Sequence, residues 1–232
     1  MKNIPYASAV GSLMYAQVCT RPDIAFVVNT LGRYLLNPGQ EHWVAAKKVM
    51  RHLQRTKYFM LVYSRVEDLK VIGYSDADFA SCSDDRKSTS GYIFMMAGGA
   101  ISWKSTKQTL ITNSTMYAEL VACYGASIQA VWLRNLISEL RVVDSIVRPM
   151  VIYCDNTAAV IYSKHDKISN ASKYTEIKYY IVKDLVKNGD IVIKNIRIES
   201  MLADPLTKGL QPILFKERVK NMGVLDSFDF FY

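Results

Sequence analysis

The sequence predicts an α/β protein in which a mixed β-sheet, covered by helices on its faces, follows a small helical segment. Three observations predict it. Residues 6 to about 57 read as helical, interrupted only at Thr20-Arg21-Pro22-Asp23 and Asn37-Pro38-Gly39. After Leu61 short runs rich in β-branched and aromatic residues take over. A continuous apolar run from Val151 to Cys154 then follows a long helical stretch, as a central parallel strand does.

Taken in order, Tyr6 to Cys19 has no breaker but Gly11, and Pro22 near a first turn opens a second helix from Ile24 to Leu36. A third runs from Glu41 to about Arg55, because Trp43, Ala46, Val49, Met50 and Leu53 recur at helical spacing and imply one buried face. This segment offers no carboxylate cluster or phosphate loop and reads as a packing appendage. Strands follow at Lys70 to Tyr74, Gly91 to Met96 and Ala100 to Trp103, the last two forming a hairpin about Gly98-Gly99. A helix from about Asn113 to Leu140, capped by Asn113 or Ser114, leads to the apolar strand after Pro149. A short helix after Asp155, a longer one from about Ser172 to Lys187, a Gly189-Asp190 turn and an alternating strand from Ile191 to Ile198 complete the sheet. Asp204-Pro205 opens a last helix, since Asp caps and Pro suits the first helical position. The expected organisation is 1–63 helical, 64–224 a single α/β domain, and 225–232 a frayed tail.

The chain has 29 Lys and Arg against 21 Asp and Glu, a net charge of +8, which favours a phosphate-rich partner over an acidic protein. Its four cysteines, Cys19, Cys82, Cys123 and Cys154, lack the short spacings of a zinc or redox motif and suit a reducing compartment. No uninterrupted apolar run approaches the roughly 20 residues that span a bilayer, and the start carries no secretion signal. The expectation is an intracellular protein, cytoplasmic or nuclear, with no membrane partner. Three scattered histidines leave little material for a histidine metal site or a Ser-His-Asp triad.

Four carboxylates stand where elements end or turn: Asp76, Glu119, Asp155 and Asp204. Period-two alternation places Asp76 with Ile72 and Tyr74 on one side of its strand, unless pairing stops before it and both Asp76 and its rival Asp78 face water. Glu119 lies on the long helix beside Ala118, Ala122 and Ala126, small residues that admit a close sheet. Asp155 ends the apolar strand, where ligands gather in open sheets, or caps the next helix jointly with Asn156. Asp204 either caps before Pro205 or joins the cluster. Four hard oxygen donors in a basic protein point to magnesium, with manganese a substitute: two such ions about 4 Å apart promote in-line displacement at phosphorus. Arg86, Lys87, Ser88 and Thr89, with Lys104 and Lys107 around the end of the Trp103 strand and Asn156 after Asp155, are candidate nucleic-acid contacts, the basic ones or else solvated surface charges.

Motifs in order, Gly73-Tyr74-Ser75-Asp76-Ala77-Asp78, Asp85-Arg86-Lys87-Ser88-Thr89-Ser90-Gly91-Tyr92, Gly98 to Ser105, Tyr153-Cys154-Asp155-Asn156 and Leu202-Ala203-Asp204-Pro205-Leu206-Thr207-Lys208, resemble the ribonuclease H domain of copia-type retrotransposon polyproteins. Pro5 to Tyr15 and Thr20 to Ile24 resemble the end of the reverse transcriptase that precedes it. The resemblance implies a ribonuclease H-like mixed five-stranded sheet, and Asp76, Glu119, Asp155 and Asp204 as a tetrad on two magnesium ions. The implied enzyme is an endonuclease that cuts the RNA strand of an RNA–DNA hybrid, read by shape and 2′-hydroxyls rather than base sequence. It leaves a 3′-hydroxyl and a 5′-phosphate. The polymerase part of such a polyprotein is a further implied partner.

Two departures favour an alternative, an inactive remnant acting at most in nucleic-acid or protein binding. Where the family usually shows a Ser-Thr-Glu-Ala-Glu-Tyr-like run, Ser114-Thr115-Met116-Tyr117-Ala118-Glu119-Leu120 keeps only the second acid, and Tyr174 stands in place of a usual histidine. The Tyr-x-Asp-Asp turn of a polymerase is absent from these residues, and Met1 reads as an internal polyprotein residue serving as a start.

Overall fold

The computed structural model describes residues 4–82, 84–140, 149–164 and 173–227, the side chains of 173–175 excepted. Three N-terminal helices, α1 (Tyr6–Cys19), α2 (Ala25–Gly32) and α3 (Gln40–Arg55), pack around Tyr6, Val10, Leu13, Ile24, Val28, Leu31, Ala46 and Val49. The second is shorter than expected, giving way to turns after Gly32. Between α1 and α2 a 3₁₀ turn at Pro22–Ile24 holds Asp23, whose buried carboxylate accepts from Arg21 Nε at 2.8 Å and Nη2 at 2.7 Å and lies 2.7 Å from His52 Nε2. Burial opposes ionisation of Asp23, but Arg21 and His52 hold its carboxyl below the usual range. That ion cluster fixes the turn to α3.

A short strand β1 (Phe59–Leu61) precedes the hairpin strands β2 (Ile72–Asp78), β3 (Thr89–Met96) and β4 (Gly99–Lys107). Left-handed backbone at Ala97 (φ 54°) and Gly98 (φ 80°) makes the tight turn between β3 and β4. The long helix α4 (Thr115–Leu140) leads to β5 (Met150–Cys154), α5 (Thr157–Tyr162), α6 (Lys173–Lys187) and β6 (Ile191–Asn195). Ser114 caps α4, its Oγ 3.4 Å from Tyr117 N. The residue with which α6 was expected to start, Ser172, and the side chain of Tyr174 lie outside the described residues.

The five strands order β4-β3-β2-β5-β6: antiparallel among β2, β3 and β4, parallel from β2 to β5 and β5 to β6. This is the expected mixed sheet. One face packs on α4 through Phe94, Ala126, Ala130, Leu133 and Ile152; the other packs on Met201, Leu202, Ala203, Leu206 and Ala25. By length and composition α4 is apolar enough to cross a bilayer, which counting uninterrupted apolar runs does not register; half of its most apolar window is buried in the fold, and packing on the sheet explains its composition.

Three local expectations are corrected. Strand β2 runs through Asp76 and Asp78, paired with Gly91 and Thr89, so neither acid lies in a water-facing turn. Asp204-Pro205 opens only a 3₁₀ turn, Asp204–Leu206; the last helix, α7 (Pro212–Asn221), starts at Pro212. A capping acid before proline suits any helical turn, and this one ends at Thr207, whose backbone at φ −122° has already left helical geometry. Leu225 and Asp226, expected in a frayed tail, belong to β7 (Val224–Asp226), which pairs antiparallel with β1.

Candidate active site

The register of β2 brings Asp76 to the face opposite α4, where Gly91 is its partner on β3. A Cβ at Gly91 would stand 2.7 Å from Leu206 Cβ and 2.8 Å from Thr207 Cγ2, so the bare glycine lets the Asp204–Leu206 turn and Thr207 lie flat on the sheet. Asp155 follows the last residue of β5, beside β2 in parallel. Carboxylate oxygens of Asp76, Asp155 and Asp204 thereby fall within 4.8 Å of one another, an acidic cluster able to hold a metal ion. Asp76 and Asp204 are 1% and 3% exposed, so these charges need a cation close by.

Glu119 reaches the same end of the sheet from α4, whose Ala118, Ala122 and Ala126 are buried against it. It does not join the three aspartates directly. Its carboxylate, with Asp155 and the Cys154 sulfur, forms a second group within 4.8 Å, so Asp155 is common to both. Glu119 Oε1 accepts from Ala77 N at 3.1 Å, and Oε2 lies 3.6 Å from the Cys154 thiol. Its pKa is raised well above the ordinary value by burial, then by Cys154, Asp76 and Asp155. Cys123 beside it, with burial, pushes the Cys154 thiol up, which makes this sulfur a donor to Glu119 rather than a thiolate ligand. Burial, followed by the Asp76 charge, pushes Asp155 up to about 6; Asp204 is raised by burial too. Asp78, the rival of Asp76, is half-buried on β2 but outside the trio.

Sequence reasoning missed three partners. Lys208 Nζ lies 2.8 Å from Asp204 Oδ1 and 3.5 Å from Asp76 Oδ2. The Thr207 hydroxyl bonds the Asp76 carboxylate. Buried Arg218 of α7 places Nε 3.8 Å from Asp204 Oδ2. Only the i, i+4 spacing of Lys208 from Asp204 was readable beforehand.

The candidate nucleic-acid residues divide. Ser88 and Thr89 are buried, with hydroxyls turned inward: Ser88 Oγ accepts from Ala80 N at 3.1 Å and Thr89 Oγ1 from Ser81 at 3.1 Å. Lys107 and Lys87 sit 2.9 and 3.7 Å from Asp85. Asn156 caps α5, its Oδ1 accepting from Ala159 N at 2.9 Å. Arg86 and Lys104 are exposed. Lys104 lines a groove of about 320 Å³ with Tyr92, Tyr124 and Lys178, whose Nζ lies 5.6 Å from the centre of the Tyr124 ring. Neither Lys104 nor Lys178 has a carboxylate partner among the described residues.

Over 208 residues, 90% of this chain, the sequence is 39% identical to a retrovirus-related Pol polyprotein from transposon TNT 1-94 of Nicotiana tabacum. The chain belongs to the copia-type retrotransposon Pol polyproteins. This Pol segment spans 15% of the length of that relative. A second relative, the secreted RxLR effector protein 161 of Plasmopara viticola, is 46% identical over 133 residues, 57% of this chain and 94% of that protein. Ribonuclease H1 of the archaeon Halobacterium salinarum aligns with 60% of this chain and 94% of its own at 14% identity, with a TM-score of 0.42. No family model matches. With its five-stranded mixed sheet and flanking helices, the Pol segment has a ribonuclease H-like fold.

Proposed function

We propose that this Pol segment is the ribonuclease H part of its polyprotein and hydrolyses the RNA strand of RNA–DNA hybrids with two magnesium ions. The observation that carries the reading is the convergence of Asp76, Asp155 and Asp204 within 4.8 Å, with Glu119 joined to them through Asp155. The donor set fits: hard carboxylate oxygens suit magnesium or manganese, and the cationic Lys208 at Asp76 and Asp204 marks where positive charge is wanted. When bound, such ions activate a water and neutralise charge on the departing oxygen. Asp76 is held by Thr207 and Asp204 by the Arg218 side, so both oxygen donors are oriented before anything binds. Lys104 and Lys178, with Arg86, offer positive charge to the backbone of the nucleic acid. The helical segment 1–63 would adjoin a polymerase within a longer polyprotein.

The test is cleavage of labelled RNA in a hybrid with magnesium present. Changing groups that merely orient metal ligands costs about 10- to 100-fold, so Asp155→Asn should leave less than a hundredth of native cleavage; cleavage that survives it ends the assignment.

One observation favours a second reading, a hybrid-binding module without turnover. Both Glu119 oxygens meet protein donors, Ala77 N and the Cys154 thiol, and its carboxyl is biased to the neutral form. That reading predicts salt-sensitive hybrid binding with no magnesium-dependent product.

A further inference from the structure

We propose that Lys208 is a built-in counter-cation of the aspartate cluster, holding a cation position between Asp76 and Asp204 and competing with a divalent ion for it. The inference rests on the metal reading above. Three carboxylates with oxygens inside 4.8 Å, two of them almost fully buried, repel one another strongly unless positive charge lies among them. The Lys208 ammonium does lie there, 2.8 Å from one carboxylate and 3.5 Å from another. Arg218, the second cation, reaches only Asp204 among the three aspartates, at 3.8 Å, pairs with Glu217 at 3.6 Å and is held from behind by the carbonyls of Ile198 and Glu199, which keeps it outside the cluster.

A second observation, independent of charge, gives Lys208 freedom to leave. Its side chain is a third exposed and also lines a cleft of about 350 Å³ between the N-terminal helices and residues 205–210, with Pro205, Gly209 and Phe215. An arriving divalent ion therefore displaces a flexible ammonium into open space, rather than a fixed guanidinium. Lys208 is thus a positioning residue: it keeps the aspartates together when no ion is bound, and its displacement is a cost of ion binding.

Manganese and magnesium titrations of the full chain by calorimetry, without substrate, test this alongside melting temperatures in chelator. Lys208→Met should bind manganese at least about tenfold more tightly and melt lower in chelator, with the loss reversed by manganese; Lys208→Arg should stay near native in chelator. Equal or weaker manganese binding by Lys208→Met overturns the proposal while leaving the metal reading intact. Binding by neither protein overturns both. If Lys208→Met does not fold, magnesium titration of the native chain with ¹³C-labelled lysine decides: the Lys208 Cε resonance should move as the ion binds, and a resonance unmoved at saturation overturns the proposal.

Discussion

Asp155 belongs to both acidic groups of the site, and its stability effect runs against its proposed role. Burial, Asp76 and Asp204 push its carboxyl up to about 6, with Lys208 pulling the other way. From an unfolded value near 3.9 up to about 6, the native chain binds more protons at this site than the unfolded chain. Stability therefore falls as pH rises through that window, and the deficit is complete above it. Asp155→Asn should then raise the melting temperature in chelator at pH 7.5, with the gain shrinking to nothing below about pH 4, while cleavage is lost. No gain at pH 7.5, or a gain undiminished at pH 4, would refute the charge argument. At this scale Asp76 and Asp155 were legible because a carboxylate inside or just after an apolar strand is conspicuous. Lys208 was not, since most lysines are solvated and only the fold shows one among three acids. Ser88 and Thr89 misled for the converse reason: hydroxyls beside basic residues resemble a phosphate contact, yet here they close a buried turn.

Among the elements, the Asp204–Leu206 turn depends on a strand residue with no side chain. Gly91→Val would drive a Cβ into Leu206 and Thr207 and lift the turn that carries Asp204 and Lys208 away from Asp76. Overpacking of this kind costs about 1–3 kcal/mol; urea denaturation should show that loss, with manganese binding weakened as well. Gly125→Ala on α4, where an added methyl meets nothing within 4 Å, is the control and should be neutral or stabilising by up to about 1 kcal/mol. Retained metal affinity in Gly91→Val would mean that the turn does not need this close approach. The sheet strands and α4 were readable because period-two runs, the Gly98-Gly99 turn and a long uninterrupted helical stretch all agree locally. The pairing of β1 with β7 was not. Each is three residues long, and the pairing joins distant parts of the chain, so neither carries a signal without the other.

For the whole molecule, the N-terminal helices do more than pack on themselves. Ala25 shares a core with Met201, Ala203 and Leu206, Trp103 Nε1 donates to Gln17 O at 3.1 Å, and the α3 flank faces Pro205 and Lys208 across the cleft. The turn bearing Asp204 is therefore clamped between the sheet on one side and the helical segment on the other. Asp76, Glu119 and Asp155 depend instead on β2, α4 and β5, elements outside the N-terminal segment. Deleting residues 1–57 should consequently act unevenly. The Asp204 turn loses its outer support, so manganese affinity should fall at least about tenfold, while the salt-sensitive hybrid binding proposed for Lys104 and Lys178 on the α4 face should persist. Calorimetry and a filter-binding titration on the same truncated protein separate the two effects. Equal loss of both would mean that the deletion unfolds the domain, which circular dichroism would show. Loss of neither would mean that the sheet alone positions Asp204.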